Sequence, residues 1–231
     1  MFHVKHDGSG APEEAAAVFG ELLPQAARYA ELLTSIGVER GLIGPREAER
    51  IWDRHVLNSA AVAELVSPGE RVIDVGSGAG LPGIPLAMAA PAVRIVLVEP
   101  LLRRATFLSE VVADLGLANV EVVRGRAEDR DVIQTQGEAD AVTSRAVASL
   151  DKLARWSLPL LRIGGRMLAM KGDRADTELA EYGRVLASLG AGDVRVMRCG
   201  ESYLNPPATV VVAHRSEQKG RRPRASARRG R

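Results

Sequence analysis

The stretch Val72–Leu86, reading VIDVGSGAGLPGIPL, constrains this chain more than any other. Its apolar run of Val72, Ile73 and Val75 suits a buried parallel strand. Gly76, Gly78 and Gly80 then break the run, and Pro82 suits the first position of a following helix. Strand, glycine loop and helix in that order build the ligand end of an open α/β sheet, where cofactors sit at the carboxyl ends of the strands.

Two ligand classes fit such a loop, and Asp74 separates them. A dinucleotide or nucleoside triphosphate presents phosphates to loop amides and to the helix N-terminus. A carboxylate this close to the first glycine opposes that charge. S-adenosylmethionine carries an ammonium and a sulfonium and no phosphate, so an acid leading into the loop suits it. The glycines let the backbone approach the adenosine and methionine portions without side chains in the way. Gly78-x-Gly80-x-x-Gly83 is a literal G-x-G-x-x-G, but it begins past the strand's end and contains Pro82, which places it poorly for a dinucleotide fingerprint.

Composition narrows the remaining classes. A chain of 231 residues, 46% hydrophobic, buries a full α/β domain plus a modest extension. Aromatics at 3% argue against a base-stacking platform. A single cysteine, Cys199, excludes an intrachain disulfide and a cysteine-rich zinc site, which fits a reducing cytoplasm; no metal site is expected. The opening MFHVKHDGSG lacks the apolar core of a leader peptide, and no apolar run is long enough to cross a membrane. The net charge of +2 hides an asymmetry: His214–Arg231 holds eight Lys/Arg and one acid, leaving 23 of the 31 basic and 28 of the 29 acidic residues, a net −5, for the rest. This tail, 215–231, reads as disordered. It serves either as a salt-sensitive grip on RNA phosphates or as a solubilising extension.

In chain order, 1–69 reads as a helical extension and 70–214 as the α/β domain. A helix over 11–36 opens at Pro12, with Val18, Leu22, Tyr29, Leu32, Leu33 and Ile36 on its apolar side. A second spans Pro45–Glu64, with Ile51, Val56, Leu57 and Ala60 inward. On it, His55 and Ser59 share a face, and Arg46, Arg50 and Arg54 form a ridge. That segment reads either as packing plus a solvated arginine face or as a cover over the cofactor, with Arg54 and Asn58 toward substrate. Val93–Val98 makes the second strand, ending at Glu99, which follows Gly76 by 23 residues, the separation of a carboxylate that accepts the ribose hydroxyls. Leu101–Leu115 reads helical, with Arg103 and Arg104 on its first turn as substrate contacts. Val120–Val123 is the third strand, and Glu128 in the loop beyond it suits an adenine rim.

The fourth strand, Ala139–Ser144, runs into Arg145-Ala146, where methyltransferases commonly face their acceptor. No Asn/Asp-Pro-Pro-aromatic motif stands there, and Asn205-Pro206-Pro207-Ala208 is a decoy near the last strand. A cysteine able to attack a pyrimidine ring is also missing. The acceptor left is one already nucleophilic, such as guanine N7, whose methylation rests on alignment. A helix at 150–162, a strand at 165–171, a helix near 175–188 and strands near 193–199 and 208–214 complete a seven-stranded, mostly parallel Rossmann-like sheet. Lys171 ends the fifth strand as a substrate contact or an exposed lysine.

Arg54 to Ser59 (R-H-x-x-N-S), Asp74 to Leu86, Glu99 with Arg103-Arg104, Ala127-Glu128, Ser144-Arg145-Ala146 and Lys171-Gly172 resemble the RsmG (GidB, glucose-inhibited division protein B) family of bacterial small-subunit rRNA methyltransferases, over roughly residues 11–213. The resemblance implies S-adenosylmethionine-dependent methylation of guanine N7 in 16S rRNA near the decoding centre. It implies cofactor contacts at Gly76, Leu81, Ala127, Glu128 and Arg145, beside the Asp74, Gly78, Gly80 and Glu99 read above. The implied partner is 16S rRNA or the small ribosomal subunit, met by a cytoplasmic monomer. Asn58 departs from the aspartate of many relatives, and the Arg-rich tail lies outside the pattern.

His55, Arg145 and Lys171 are the catalytic candidates. Arg145 could hold the cofactor carboxylate bidentately or grip a phosphate; bidentate binding of guanine O6 and N7 would cover the atom to be methylated. Arg145→Ala is expected to keep the fold and lose most methyl transfer. A small-molecule methyltransferase and, more distantly, a nicotinamide-dependent oxidoreductase share the architecture.

Overall fold

The structure, a computed structural model, describes residues 10–217. The leader reading and nearly all of the basic tail lie outside those residues.

Seven strands form one sheet: β1 (Arg71–Val75), β2 (Arg94–Val98), β3 (Val120–Val123), β4 (Ala139–Arg145), β5 (Leu161–Lys171), β6 (Ala191–Cys199) and β7 (Ala208–Arg215). They lie in the order β3-β2-β1-β4-β5-β7-β6, with β1 to β5 parallel and β7 antiparallel to both neighbours. The order reverses between β1 and β4, so the crevice outside their carboxyl ends is the natural ligand position.

Side chains alternate across the sheet and pack against a layer on each face. Val72, Ile95, Leu97, Leu168, Val210 and Val212 meet the first layer, which includes α2 (Leu23–Leu32), α4 (Gly83–Ala89) and α5 (Leu102–Leu115). Tyr29, Leu33, Ile51, Leu57 and Val62 of the N-terminal extension belong to this same core. Ile73, Val75, Val96 and Val98 meet the second layer, α6 (Arg130–Gln136), α7 (Leu150–Ser157) and α8 (Ala175–Ser188).

Several expected helices are interrupted. The helix expected over 11–36 is α1 (Glu13–Phe19), a bend at Gly20 (φ +51°) and α2, which widens into π-type turns at Leu33–Gly37. The helix expected over 45–64 begins as a tight 3-10 segment, Pro45–Arg50, widens over Ile51–Leu57, and regains one α turn, α3 (Asn58–Ala60). Its widened part is where Arg54 and His55 give their carbonyls to Arg145. Pro82 sits just before α4 rather than at its first position. The helix expected to reach 162 keeps α geometry only to Ser157; Pro159 lacks the N–H to continue it, and a 3-10 turn, Leu158–Leu160, leads into β5 at Leu161. Helix α6 was not anticipated, and β7 extends one residue, through Arg215, into the span read as tail.

Candidate functional site

A cleft of about 530 Å³ opens at the carboxyl ends of β1, β2 and β4, a size that suits a small-molecule ligand. Its floor is the loop Gly76–Leu81, and one wall is Glu99–Leu101 with Arg104. The other is Arg145–Val147 after β4, while Leu42, Ile43 and His55 reach over from the N-terminal extension. A second cleft, about 400 Å³, opens at the amino ends of the parallel strands beside Arg155 and Arg215, with no glycine loop and no carboxylate.

The loop's amides decide what the cleft can hold. Gly76 and Ser77 donate to the Val98 carbonyl, Gly80 and Leu81 to the Ser77 carbonyl, and Gly78 to Glu99 Oε2 at 3.0 Å. A pyrophosphate needs such N–H groups turned outward; here they are engaged within the protein. The helix end is engaged too, since Gly83 N–H donates to Asp74 Oδ2 at 3.1 Å. Asp74 therefore disfavours a phosphate by a different route from the one expected. Its carboxyl does not line the cleft; it is buried and takes the place at the α4 N-terminus that an anion would otherwise occupy. Burial pushes its pKa from the ordinary 3.8 to about 7, against the Ser77 and Gly83 hydrogen bonds that lower it.

Glu99 is the carboxylate that faces the ligand space. It is 2% exposed, accepts from Gly78 N–H at one oxygen and from Leu101 N–H at 3.0 Å at the other, and so has its rotamer fixed. An ionised carboxylate has about four acceptor positions, so two remain for a pair of vicinal hydroxyls. Gly76 (φ +70°) lies where a Cβ would come within 3.1 Å of both Val147 methyls, whereas a Cβ on Gly78 would meet nothing closer than 3.8 Å. The loop thus leaves bare backbone toward the ligand. His55 Nδ1 and Arg104 Nε, both on cleft residues, are buried without a hydrogen-bond partner among the described residues. A ribose at Glu99 and polar ligand groups near those two nitrogens fit S-adenosylmethionine.

Arg145 is a brace. Its Nη1 donates to Ser59 Oγ at 2.9 Å and to the His55 carbonyl at 3.4 Å, and its Nη2 donates to the Arg54 carbonyl at 2.5 Å. The guanidinium fork expected to hold a carboxylate or phosphate is turned to the N-terminal extension. The shared face of His55 and Ser59 is the face Arg145 takes. His55 Nε2 pairs with Glu47 Oε2 at 2.8 Å, yet burial outweighs that partner and lowers the histidine's pKa. Next along β4's exit, Ala146 adopts a left-handed φ of +53°, a conformation that costs a non-glycine residue about 1 kcal/mol or more.

The structure brings His55, Gly76, Gly78, Leu81, Glu99, Arg104 and Arg145 together at the cleft. Gly80 lies just behind, packed on Ile84 and Tyr29. Ala127 is buried beneath the sheet's second layer, and Glu128 is exposed, 3.8 Å from Arg126; neither lines the cleft. Arg103, exposed, and Asn58, half-buried, both lie outside it. The Arg54 guanidinium pairs with Glu47 at 3.3 Å. Lys171 is not an exposed lysine: 11% of its side chain is accessible, and it donates to the Ala148 carbonyl and Glu178. Asn205-Pro206 precedes β7 and stays outside the cleft.

A family model described as GidB, rRNA small subunit methyltransferase G, matches residues 22–205. The chain belongs to the GidB family. Relatives named ribosomal RNA small subunit methyltransferase G include one from Mycolicibacterium paratuberculosis, 61% identical over 94% of each chain. Another, from Mycobacterium avium, is 65% identical over 90% of this chain and 84% of the relative. Among solved structures, the methyltransferase SibL in its apo form has a TM-score of 0.58 at 18% identity, covering 88% of this chain and 70% of that one. The TYW2 of M. jannaschii, in complex with AdoMet, has a TM-score of 0.54 at 19% identity, covering 71% and 76%. These likenesses show the fold, that of S-adenosylmethionine-dependent methyltransferases, as expected from the glycine loop and strand tally.

The family's description makes methyl transfer to small-subunit rRNA its activity, and the shared fold is one in which TYW2 holds AdoMet. Sequence reasoning missed Leu42, Ile43 and Val147 as cleft residues, and the Tyr29 contact to the loop. Tyr29 carried only a helix-face signal; the others carried none.

Proposed function

We propose that this GidB-family chain methylates N7 of a guanine in 16S rRNA near the decoding centre, as a cytoplasmic monomer acting on the rRNA or on the small subunit. The observation that carries the donor half of this reading is Glu99, fixed in the cleft by Gly78 and Leu101 N–H groups, while the Gly76, Ser77, Gly80 and Leu81 N–H groups are engaged by the Val98 and Ser77 carbonyls. S-adenosylmethionine supplies an electrophilic methyl carbon with a neutral thioether as leaving group. Glu99 would accept the ribose hydroxyls, and the bare backbone at Gly76–Gly78 would admit the adenosine and methionine portions. Guanine N7 offers a lone pair and no proton, so the chain needs to align the base rather than deprotonate it. The side chains at the cleft suit that division: His55 Nε2 is engaged by Glu47, and Glu99 is held by the Gly78 and Leu101 amides. Arg104 lines the cleft and brings positive charge that a nucleotide phosphate can meet. A base within a helix would have to be flipped out to reach this depth.

Mapping modified nucleotides in 16S rRNA from cells with and without this protein tests the reading. Loss of one N7-methylguanine supports it. Labelled methyl appearing in small metabolites and not in ribosomal subunits would favour the small-molecule alternative.

A further inference from the structure

Tyr29 is fully buried in α2, and its hydroxyl donates to the Ala79 carbonyl at 2.8 Å, across 50 residues of chain. Ala79 and Leu81 line the cleft, while Gly80 between them turns back at φ +100°. A Cβ on Gly80 would come within 3.0 Å of Tyr29 Oη and 2.4 Å of Ile84 Cδ1. Gly76 and Ser77 are held by the Val98 carbonyl and Gly78 by Glu99, whereas Gly80 and Leu81 donate back to Ser77 and close the far half of the loop on itself. The Tyr29 hydroxyl fixes that half to the N-terminal extension, from behind, on the side away from the ligand. Filling the core at this point requires only the ring; among the described residues the hydroxyl's partner is the loop.

We infer that Tyr29 is a positioning residue for the methyl donor: the N-terminal extension sets the height of the loop floor through the Tyr29–Ala79 bond. This rests on the reading of the cleft as the donor site. Arg145, bonded to Arg54, His55 and Ser59, ties the same extension to the opposite wall. The extension thereby grips the cleft at two points, its floor and its β4 wall.

The test is Tyr29→Phe in the full chain, which keeps the ring and removes the bond. Calorimetry with S-adenosylmethionine should give about three- to tenfold weaker binding, the range of one hydrogen bond. The donor KM should rise by a similar factor while the KM for ribosomal subunits stays unchanged. Hydrogen exchange should quicken over 76–83 and not across the sheet. A donor Kd unchanged within error would overturn the inference, as would exchange that quickens evenly through the chain, which marks a purely structural tyrosine. Failure of the unaltered chain to bind S-adenosylmethionine would overturn the reading of the cleft, and the inference with it.

Discussion

Asp74 and Arg145 are the residues on which the site turns, and both act on the protein's own backbone. Asp74 caps α4 through Gly83 N–H and leaves Oδ1 without a partner among the described residues. Its carboxyl titrates at about 7 in the folded chain against an ordinary 3.8. Between those values the folded state holds a proton that the unfolded state has lost, so stability falls as pH rises through that window. Asp74→Asn cannot ionise. Its melting temperature relative to the unaltered chain should therefore improve from about pH 4 to about pH 7 and level off above, and parallel profiles would show that Asp74 does not titrate there. Arg145→Ala leaves the Arg54 and His55 carbonyls and the Ser59 hydroxyl without their donor. A loss of about 3 kcal/mol in urea denaturation is expected, along with most methyl transfer. That revises the expectation of an intact, merely inactive variant. Arg145→Lys should recover little, because an ammonium lacks the planar fork that spans the three acceptors.

The glycine loop is the element whose shape depends most on what packs around it. Gly76→Ala places a methyl 3.1 Å from both Val147 γ-carbons at a backbone φ of +70°. The left-handed conformation should lower stability by about 1 kcal/mol, and the displaced Val147 should weaken donor binding several-fold by calorimetry. Adding Val147→Ala should restore much of the binding and none of the backbone term; a double variant no better than the single would place the defect in the loop itself. The loop was legible in sequence because Val72, Ile73, Val75 and the three glycines each carry a local signal. The 45–64 helix was legible only as helical. Its wide turns face the guanidinium of Arg145, some ninety residues away, and no local pattern encodes that bond.

At the scale of the whole molecule, the N-terminal extension is a layer of the sheet rather than an appendage. Tyr29, Leu33, Ile51 and Leu57 share one core with Val72, Leu97 and Val212. Removing residues 1–69 would expose that face, so the truncated chain should show no cooperative thermal transition by circular dichroism. A sharp melt would mean that the sheet stands without its first layer. The sequence by itself determined the strands, the parallel order implied by alternating β and α segments, the glycine loop and the place of Glu99, because each rests on contacts within a few residues or on the periodicity of one element. Only the tertiary structure decided that Asp74 caps a helix nine residues on, that Lys171 is tied to Glu178, and that Arg145 braces the extension. A side chain's partner is fixed by which elements pack together, and charge alone does not tell whether an acid or an arginine serves a ligand or the fold.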